Sequence, residues 1–313
     1  MNKPKISIII PAYKTPENIL RRTLNLLTTQ TLRDIEIVFV NDGADDIVKN
    51  VVKSYADDRI KYFETQTAHG GPSHARNIGL ENVTGEYVFF HDHDDYLISK
   101  DDVKSVLERM YNDASGADIL IFSNKLVFNP VNIYKENFSD RELFELSKFI
   151  TFCFNISTLW CKLFKTELLK KKNLKFNEKL LSLDDLDFYF KYIFLTTNIK
   201  FSQNEYYKHS ENKNSLSKAI YENISQYYKE VYVLSFIKQT LENLSLYKHL
   251  RIPFIIFCFN FINTIPVTVA YNYPKILELK QEIRTFISEF DITDKDIALI
   301  RDKQQFINLL FWM

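Results

Sequence analysis

The sequence predicts an α/β fold in which a mostly parallel sheet is flanked by helices. Short β-branched runs alternate along the first 122 residues with segments whose apolar residues recur at helical spacing. Two polar clusters, Asn41-Asp42-Gly43 and Asp92–Asp95, each follow a predicted strand directly. Ligands of open parallel sheets bind beyond the carboxyl ends of the strands. The sequence therefore predicts that both clusters face one ligand crevice.

The alternation begins at the N-terminus. Lys5–Pro11 (KISIIIP) is a β-branched run that ends at a proline, and Ile35–Val40 (IEIVFV) is a second apolar run. Both are predicted as buried strands, and each is followed by a helical pattern. The predicted strands are 5–11, 35–40, 60–63, 87–90 and 118–122, and the predicted helices are 17–30, a segment through 51–52, 73–83 and 102–112.

The pattern becomes less regular from about residue 155, and an acidic cluster, LSLDDLDFYF, occupies 181–190. After residue 217 the chain is helical in pattern and rich in aromatic residues. We therefore predict an α/β domain over 1–217 and a helical C-terminal region over 218–313.

The most apolar stretch of the chain is Ile252–Tyr271. Asn260, Asn263 and Pro266 interrupt this stretch, which disfavours a membrane-spanning helix. Two interpretations stay open: a helix packed on the α/β domain, or an interfacial element in contact with a membrane.

Composition excludes several classes of protein. The chain has 40 basic and 40 acidic residues and a pI near 7.0, so nucleic acid is not an expected partner. Its three cysteines are too few and too scattered for a disulfide framework or a cysteine-rich zinc site. The N-terminal segment lacks the long apolar run and cleavage site of a signal peptide. We therefore expect a cytoplasmic protein.

The segment Asp92-His93-Asp94-Asp95 carries the sharpest chemical signal. Residues two apart on an extended strand end face the same side, so Asp92 and Asp94 can converge on one point. Oxygen ligands of this kind suit Mg²⁺ or Mn²⁺ bound together with a substrate diphosphate. Taken alone, an acidic turn that caps the next helix explains the same residues.

A zinc site is an alternative interpretation of this segment. His91-x-His93-x-Asp95 resembles the start of the H-x-H-x-D-H motif of metallo-β-lactamase-type hydrolases, and imidazole ligands favour zinc. The sixth position of that motif is Tyr96 in this chain. The remaining histidines, which would have to complete the site, are His69, His74, His209 and His249.

Five blocks in order resemble family 2 glycosyltransferases of the GT-A fold. The opening ISIIIPAYKTPENILRRTLNLLTTQTLRDIEIVFVNDGADD resembles the family's first βαβ unit and its V-D-D-G-S-T-D turn. GGPSHARNIGL is similar to A-R-N-x-G, and GEYVFFHDHDDYL is similar to G-x-Y-x-x-F-x-D-x-D-D. LWCKLFKTELLKKKNLKFNEKLLSLDDLDF is similar to W-x-K-L-[FY] and E-D-x-x-F, and YYKHSENKNSLS resembles the end of the catalytic domain. The resemblance covers residues 5–217.

The resemblance implies a role for each matched residue. Asp42 would contact the donor base and Arg76 the base or diphosphate. Asp92 would contact the ribose or a water near the metal, and Asp94 would ligate Mn²⁺ or Mg²⁺. Asp185 matches the catalytic base. The implied donor-binding set is completed by Pro11, Tyr13 and His209.

The implied reaction is inverting transfer of a sugar from a nucleotide-sugar, most often a UDP-sugar in this family, to a glycan or lipid-linked glycan acceptor. Such enzymes build surface polysaccharide or lipooligosaccharide, in the cytoplasm or at the inner face of the cell membrane. Two positions depart from the family pattern, since Asn41 replaces an acid and Asp184 replaces a glutamate. A non-catalytic nucleotide-sugar binder therefore stays open as a further alternative.

Overall fold

A computed structural model describes residues 3–67, 71–122, 158–180, 183–210 and 224–243, with single positions elsewhere. The chain forms two compact units. The first comprises 1–130, 158–178 and 188–212, and the second comprises 131–157, 179–187 and 213–313. The predicted domain boundary at residue 217 stays a proposal.

The first unit contains a sheet in the order β3-β2-β1-β4-β7-β6-β8. Its neighbouring strands run parallel except at β7, which is antiparallel to both β4 and β6. The prediction of a mostly parallel sheet is confirmed. A separate pair joins β5 to β9. The strands are β1 Ile6–Ala12, β2 Ile35–Asn41, β3 Ile60–Glu64, β4 Tyr87–Phe90, β5 Tyr96–Leu97, β6 Ile119–Phe122, β7 Lys162–Lys165, β8 Ile199–Ser202 and β9 Tyr207–Lys208.

Apart from the helix Ile224–Asn243, the helices lie between these strands in the chain, as the alternating pattern predicts. The helix expected over 102–112 begins instead as a short 3-10 turn, Val103–Ser105, before its α-helical part. The α-helices are α1 Glu17–Thr28, α2 Asp46–Lys53, α3 Pro72–Asn82, α4 Val106–Ala114, α5 Thr166–Lys171, α6 Asp184–Ile193 and α7 Ile224–Asn243.

The core lies around β1 and β2, whose residues are buried throughout. Such strands are covered by helices on both faces, which explains why their residues are mostly apolar. Helix α3 approaches β1 closely at Gly79, where an added Cβ would lie 2.5 Å from Cγ2 of Ile9. Because only glycine allows this approach, it fixes how near α3, and with it Arg76 one turn earlier, lies to the sheet.

The C-terminal part is described most fully in α7. In the described part of the chain, no helix is both long and apolar enough to cross a membrane. The stretch Ile252–Tyr271 lies outside the described residues except at Phe254, Ile255 and Cys258, which are buried.

Candidate active site

Three loops meet at the carboxyl edge of the first unit's sheet. Strand β1 pairs with β2 as far as Ala12 opposite Asn41, and with β4 as far as Ile9 opposite Phe90. Backbone bonds extend both pairings, since the Asp42 amide donates to Ala12 O at 2.8 Å and the His91 amide donates to Ile9 O at 3.0 Å. The turn after β2 and the acidic segment after β4 therefore flank the end of β1, as the sequence predicts. Tyr13 lies at that end and is 49% exposed.

Asp42 lies in a tight turn that holds its carboxylate in a defined direction. The side chain is buried, and its Oδ1 accepts a hydrogen bond from Thr65 Oγ1 at 2.7 Å. The same hydroxyl accepts from the Gly43 amide at 2.7 Å. Gly43 has a φ of 92°, in the left-handed region that glycine adopts without strain. Thr65, at the end of β3, is a positioning residue that the sequence did not single out.

Asn41 has a structural role in the same turn. Its Nδ2 donates to the Asp45 carbonyl at 2.8 Å and to Tyr62 Oη at 2.9 Å. The Asp45 carboxylate in turn caps α2 by accepting from the amides of Ile47 and Val48. An aspartate at position 41 could not donate either bond. The departure from the family's acid at this position therefore has a physical explanation in the turn.

Arg76 and Asp92 form an ion pair. Nη2 of Arg76 lies 3.1 Å from Oδ1 of Asp92, with the arginine side chain 6% exposed and the aspartate side chain 29% exposed. Burial raises the pKa of Asp92, but the charges of Arg76 and His93 and the hydrogen bond from Arg76 outweigh it, so the pKa is lowered. The structure thus brings together two of the residues expected to bind the donor.

The position of Arg76 depends on a neighbour that sequence reasoning missed. Asn77 clamps the backbone of Phe176, donating to its carbonyl at 3.0 Å and accepting from its amide at 2.8 Å. The Phe176 ring lies 5.5 Å from the Arg76 guanidinium and stacks on Phe188 at 4.0 Å. The only sequence signal for this support was the asparagine that follows Arg76.

The two histidines of the acidic segment face protein groups. Nδ1 of His93 lies 3.2 Å from the Pro11 carbonyl. This contact joins Pro11, a predicted donor-binding residue, to the acidic segment. His91 is fully buried, with Nδ1 2.7 Å from the Asp92 carbonyl. Burial lowers the pKa of His91 to about 4, so its imidazole is neutral at physiological pH. The described residues contain no group of three or more potential His, Cys, Asp or Glu metal ligands. Two of the histidines that the zinc alternative would need, His69 and His249, lie outside the described residues.

Asp95 is a buried anchor for the segment around β9. Its carboxylate accepts hydrogen bonds from Tyr207 Oη and from the Ser210 amide, the latter at 2.7 Å, and lies 3.1 Å from Nδ1 of His209. Burial and the charge of Asp92 raise the pKa of Asp95, against the opposing effect of these three partners. His209 is placed by this contact and by stacking on Trp160, with ring centroids 5.6 Å apart. Its side chain remains 50% exposed.

Asp94 differs from its two acidic neighbours. Its side chain is partly exposed, and none of the hydrogen bonds or ion pairs of the described residues involves its carboxylate. Such a site suits a hard divalent cation. Mg²⁺, for example, is often bound by one or two carboxylates, with substrate phosphates and water as its other ligands. The residues present therefore fit Mg²⁺ or Mn²⁺ held by Asp94 together with a diphosphate.

Asp185 lies in the first turn of α6, in the second unit, whereas the predicted donor-side residues belong to the first unit. Asp184 and Asp187, in the same turn, are 7% and 2% exposed, but Asp185 is partly exposed. Carboxylates are stabilised at a helix N-terminus by the helix dipole. Of the three acids in this turn, Asp185 is therefore more accessible than Asp184 and Asp187.

A mostly parallel sheet with these acidic and basic groups beyond its strand ends is typical of nucleotide-diphospho-sugar transferases with the GT-A fold. The family described as "Glycosyl transferase family 2" matches residues 7–171, which is more than half of the chain. The protein belongs to glycosyl transferase family 2, and the resemblance seen in its motifs is confirmed.

Relatives by sequence include named bacterial glycosyltransferases. The chain is 33% identical over 181 residues to the GalNAc(5)-diNAcBac-PP-undecaprenol beta-1,3-glucosyltransferase of Campylobacter jejuni, covering 56% of each protein. It is 31% identical over 187 residues to the poly(ribitol-phosphate) beta-N-acetylglucosaminyltransferase TarS of Staphylococcus aureus, covering 58% of this chain and 31% of TarS. The matched part thus spans about half of the first relative and a third of the second.

Solved structures confirm the GT-A fold. Residues 1–349 of Staphylococcus aureus TarS in complex with UDP-GlcNAc align with a TM-score of 0.73 at 23% identity, covering 96% of this chain and 85% of that one. The mannosyltransferase PcManGT of Pyrobaculum calidifontis, in complex with GDP-Man and Mn²⁺, aligns with a TM-score of 0.51 at 15% identity, covering 92% and 84%.

Proposed function

We propose that the protein transfers a sugar from a nucleotide-sugar, with UDP as the nucleotide, to a glycan or lipid-linked glycan with inversion at the anomeric carbon. The observation that carries the proposal is the ion pair between the buried Arg76 and Asp92, two positions in the chain before the partly exposed Asp94, at the edge where β1, β2 and β4 end. This arrangement offers a cation for phosphate and a carboxylate for a divalent metal, on the fold of a family of sugar transferases.

The donor would lie across the ends of these strands. In this proposal Asp42, fixed by Thr65, accepts a hydrogen bond from the base, and the exposed ring of Tyr13 lies beside it. Arg76 donates to the diphosphate. Asp92 orients Arg76 or contacts the ribose. His209, half exposed and held by Asp95, contacts the diphosphate. Asp94 would hold Mn²⁺ or Mg²⁺, which when bound neutralises charge on the leaving phosphates.

The acceptor hydroxyl would be activated by Asp185. Its partly exposed carboxylate at the start of α6 takes the hydroxyl proton while that oxygen attacks the anomeric carbon. The bond from this carbon to the diphosphate oxygen breaks, and the nucleoside diphosphate leaves. Attack opposite the leaving group converts an α-linked donor to a β-linked product. The relatives from Campylobacter jejuni and Staphylococcus aureus are both named for β-linkages, which supports inversion.

The direct test is a panel of nucleotide-sugars read out by release of the nucleoside diphosphate, with lipid-linked and polyol-phosphate glycans as acceptors. We expect UDP release from one UDP-sugar that rises when the right acceptor is added. A non-catalytic binder would bind UDP and release nothing from any donor and acceptor pair, and that result would contradict the proposal.

We further propose that the protein works in the cytoplasm, peripherally at the inner face of the membrane. Cys161 and Cys258 are free thiols, which suits a reducing compartment. The tail FINLLFWM at 306–313 would supply a membrane contact, whereas the described residues of 252–271, Phe254, Ile255 and Cys258, are buried. Flotation of the full chain with anionic liposomes tests this contact. A Phe311→Glu, Trp312→Glu variant that floats as well as the wild type would argue against the tail.

A further inference from the structure

Helix α1 holds the backbone of the acidic segment through two adjacent side chains. Thr23 Oγ1 donates to the His93 carbonyl at 2.6 Å. Nη2 of Arg22 donates to the Asp94 carbonyl at 2.6 Å and to the Asp95 carbonyl at 3.3 Å. Three consecutive carbonyls, separated from α1 by about seventy positions in sequence, are thus bound by one turn of one helix.

Both donors are built into their places. Thr23 is 1% exposed, and it is the one polar residue among the four buried residues of α1, the others being Leu20, Leu24 and Leu27. Packing alone would be satisfied by an apolar side chain here, so the His93 carbonyl accounts for the hydroxyl. The guanidinium carbon of Arg22 lies 3.9 Å from the centroid of the Tyr96 ring, which fixes the plane of the fork.

Asp94 is the acid that most needs this support. The carboxylate of Asp92 is held by Arg76, and that of Asp95 by Tyr207 and the Ser210 amide. Among the described residues, no hydrogen bond or ion pair holds the Asp94 carboxylate, so its direction follows from the orientation of its own peptide units. Those units are the ones whose carbonyls α1 binds.

We infer that Arg22 and Thr23 are positioning residues that fix the backbone of 93–95 so that the Asp94 carboxylate faces the divalent cation and the donor diphosphate. This inference rests on the proposed function. The role does not require either residue to touch the substrate. Each acts by holding the peptide units that flank Asp94, and a carboxylate that is fixed before binding pays less ordering entropy when the cation binds.

Thr23 gives the cleaner test, because its substitution leaves the charge unchanged. Thr23→Val keeps the shape but removes the donor to His93, whereas Thr23→Ser keeps the hydroxyl. Mn²⁺ is titrated by calorimetry into each full-length variant saturated with UDP. We expect Thr23→Val to weaken Mn²⁺ binding about tenfold, as one lost buried hydrogen bond allows. Thr23→Ser should bind within about twofold of the wild type.

Arg22→Lys provides a second variant that does not depend on how Thr23→Val folds. Lysine keeps the charge but cannot stack as a planar group on Tyr96, so its ammonium is not held at the Asp94 and Asp95 carbonyls in the same geometry. Arg21→Gln is the matched control, since Arg21 is the adjacent, exposed arginine and pairs with Glu17 at the surface. We expect weaker Mn²⁺ binding in Arg22→Lys and none of this loss in Arg21→Gln.

The possible results distinguish failure of the positioning role from failure of the proposed function. A wild-type protein that binds neither UDP nor Mn²⁺ would overturn the proposed function itself. If the wild type binds both, then unchanged Mn²⁺ affinity in folded Thr23→Val or Arg22→Lys overturns the positioning role. A loss shared equally by Thr23→Ser and Arg21→Gln would also overturn it, since it would show a general effect of altering α1.

Discussion

The guanidinium of Arg76 lies 3.1 Å from a carboxylate oxygen of Asp92, and the pair joins α3 to the end of β4. Phe176 flanks the arginine, and Asn77 holds Phe176 in place through two backbone hydrogen bonds. An aromatic neighbour and an anionic partner hold a buried arginine in one orientation, and a guanidinium group is suited to bind phosphate. If Arg76 and Asp92 bind the donor as proposed, the pair would couple the ionisation of Asp92 to donor binding.

Removing Arg76 should shift the pH range in which the protein binds its donor. Arg76 is a cause of the lowered pKa of Asp92, so Arg76→Met should raise that pKa. Asp92 would then become neutral at a higher pH, and UDP affinity should fall away sooner as the solution is acidified. UDP titrations in acidic to neutral buffers measure this midpoint. Arg76→Lys, which keeps the charge, should shift it less, and equal midpoints in all three proteins would disprove the coupling.

Transfer should depend on a divalent cation held by Asp94. We expect EDTA to abolish release of nucleoside diphosphate, and Mn²⁺ or Mg²⁺ to restore it. Asp94→Ala should lose cation-dependent UDP binding and turnover together while its thermal midpoint stays near that of the wild type. Asp101→Ala is a control, since its carboxylate pairs with Arg109 and is 80% exposed. Full activity in EDTA would rule out the assignment of Asp94.

The sequence was sufficient to predict five strands of the sheet, β1 to β4 and β6, and the edge at which Asp42 and Asp92 lie. It did not predict β7 or β8. Strands β1, β2 and β4 are mostly apolar runs, and polar residues follow β2 and β4; such local patterns reflect burial on both faces. Because parallel strands end at one edge, the placement of Asp42 and Asp92 at the same edge of the sheet followed from the pattern alone.

The supports of the site could not be predicted in this way. Thr23 meets His93 across 70 positions, and Asn77 meets Phe176 across 99, so neither contact leaves a local pattern. Thr23 was visible only as a polar residue in an apolar helix face, which many helices tolerate without a functional reason. Asn41 was read as a departure from an acidic motif, whereas its amide bonds to Asp45 and Tyr62 require an asparagine.

Restoring the family's acid at position 41 should destabilise this protein. In Asn41→Asp the carboxylate would face the Asp45 carbonyl, to which the native Nδ2 donates at 2.8 Å. The lost donor and the new repulsion should lower the free energy of unfolding by roughly 1 to 3 kcal/mol, measurable by urea denaturation. Asn41→Ser, which can still donate one hydrogen bond, should cost less. A more stable Asn41→Asp protein would contradict this account of the turn.

Glu36 should make the fold sensitive to acid. It is buried on β2 and accepts hydrogen bonds from Ser7, Lys61, Thr84 and the Gly85 amide. Burial raises the pKa of Glu36, but its hydrogen bonds outweigh this effect and lower it from 4.5 to about 2. The stabilisation is therefore complete above the unfolded pKa and is lost as the pH falls towards the folded one, on the order of 3 kcal/mol in all.

Thermal unfolding as a function of pH checks this expectation. Glu36→Gln should lower the midpoint at neutral pH and flatten its decline in acid, because the titrating carboxylate is gone. Glu81→Gln is the control, since Glu81 forms an exposed pair with Lys175 and should change little. An acid profile of Glu36→Gln that parallels the wild type would show that other carboxylates set the acid limit.

The acidic turn at the start of α6 allows the mechanism to be tested residue by residue. If Asp185 accepts the acceptor's proton, Asp185→Asn keeps the shape of the side chain but cannot take that proton. General-base catalysis is typically worth about 10²- to 10⁴-fold, so turnover should fall at least about a hundredfold, or roughly 2.7 kcal/mol of barrier, with UDP and Mn²⁺ binding retained.

The neighbouring acids supply the matched controls for Asp185. Asp184 and Asp187 are more deeply buried, so Asp184→Asn and Asp187→Asn should lower the thermal midpoint more than Asp185→Asn does, and turnover less. The variant with the largest loss of turnover should therefore have the smallest loss of thermal stability. A general disturbance of the helix would not produce this opposite ranking. If Asp187→Asn bound donor normally and were as inactive as Asp185→Asn, the base would have to be reassigned within the turn. Wild-type turnover in Asp185→Asn would remove the base from Asp185, because an asparagine amide cannot hold the proton that the attacking hydroxyl must lose.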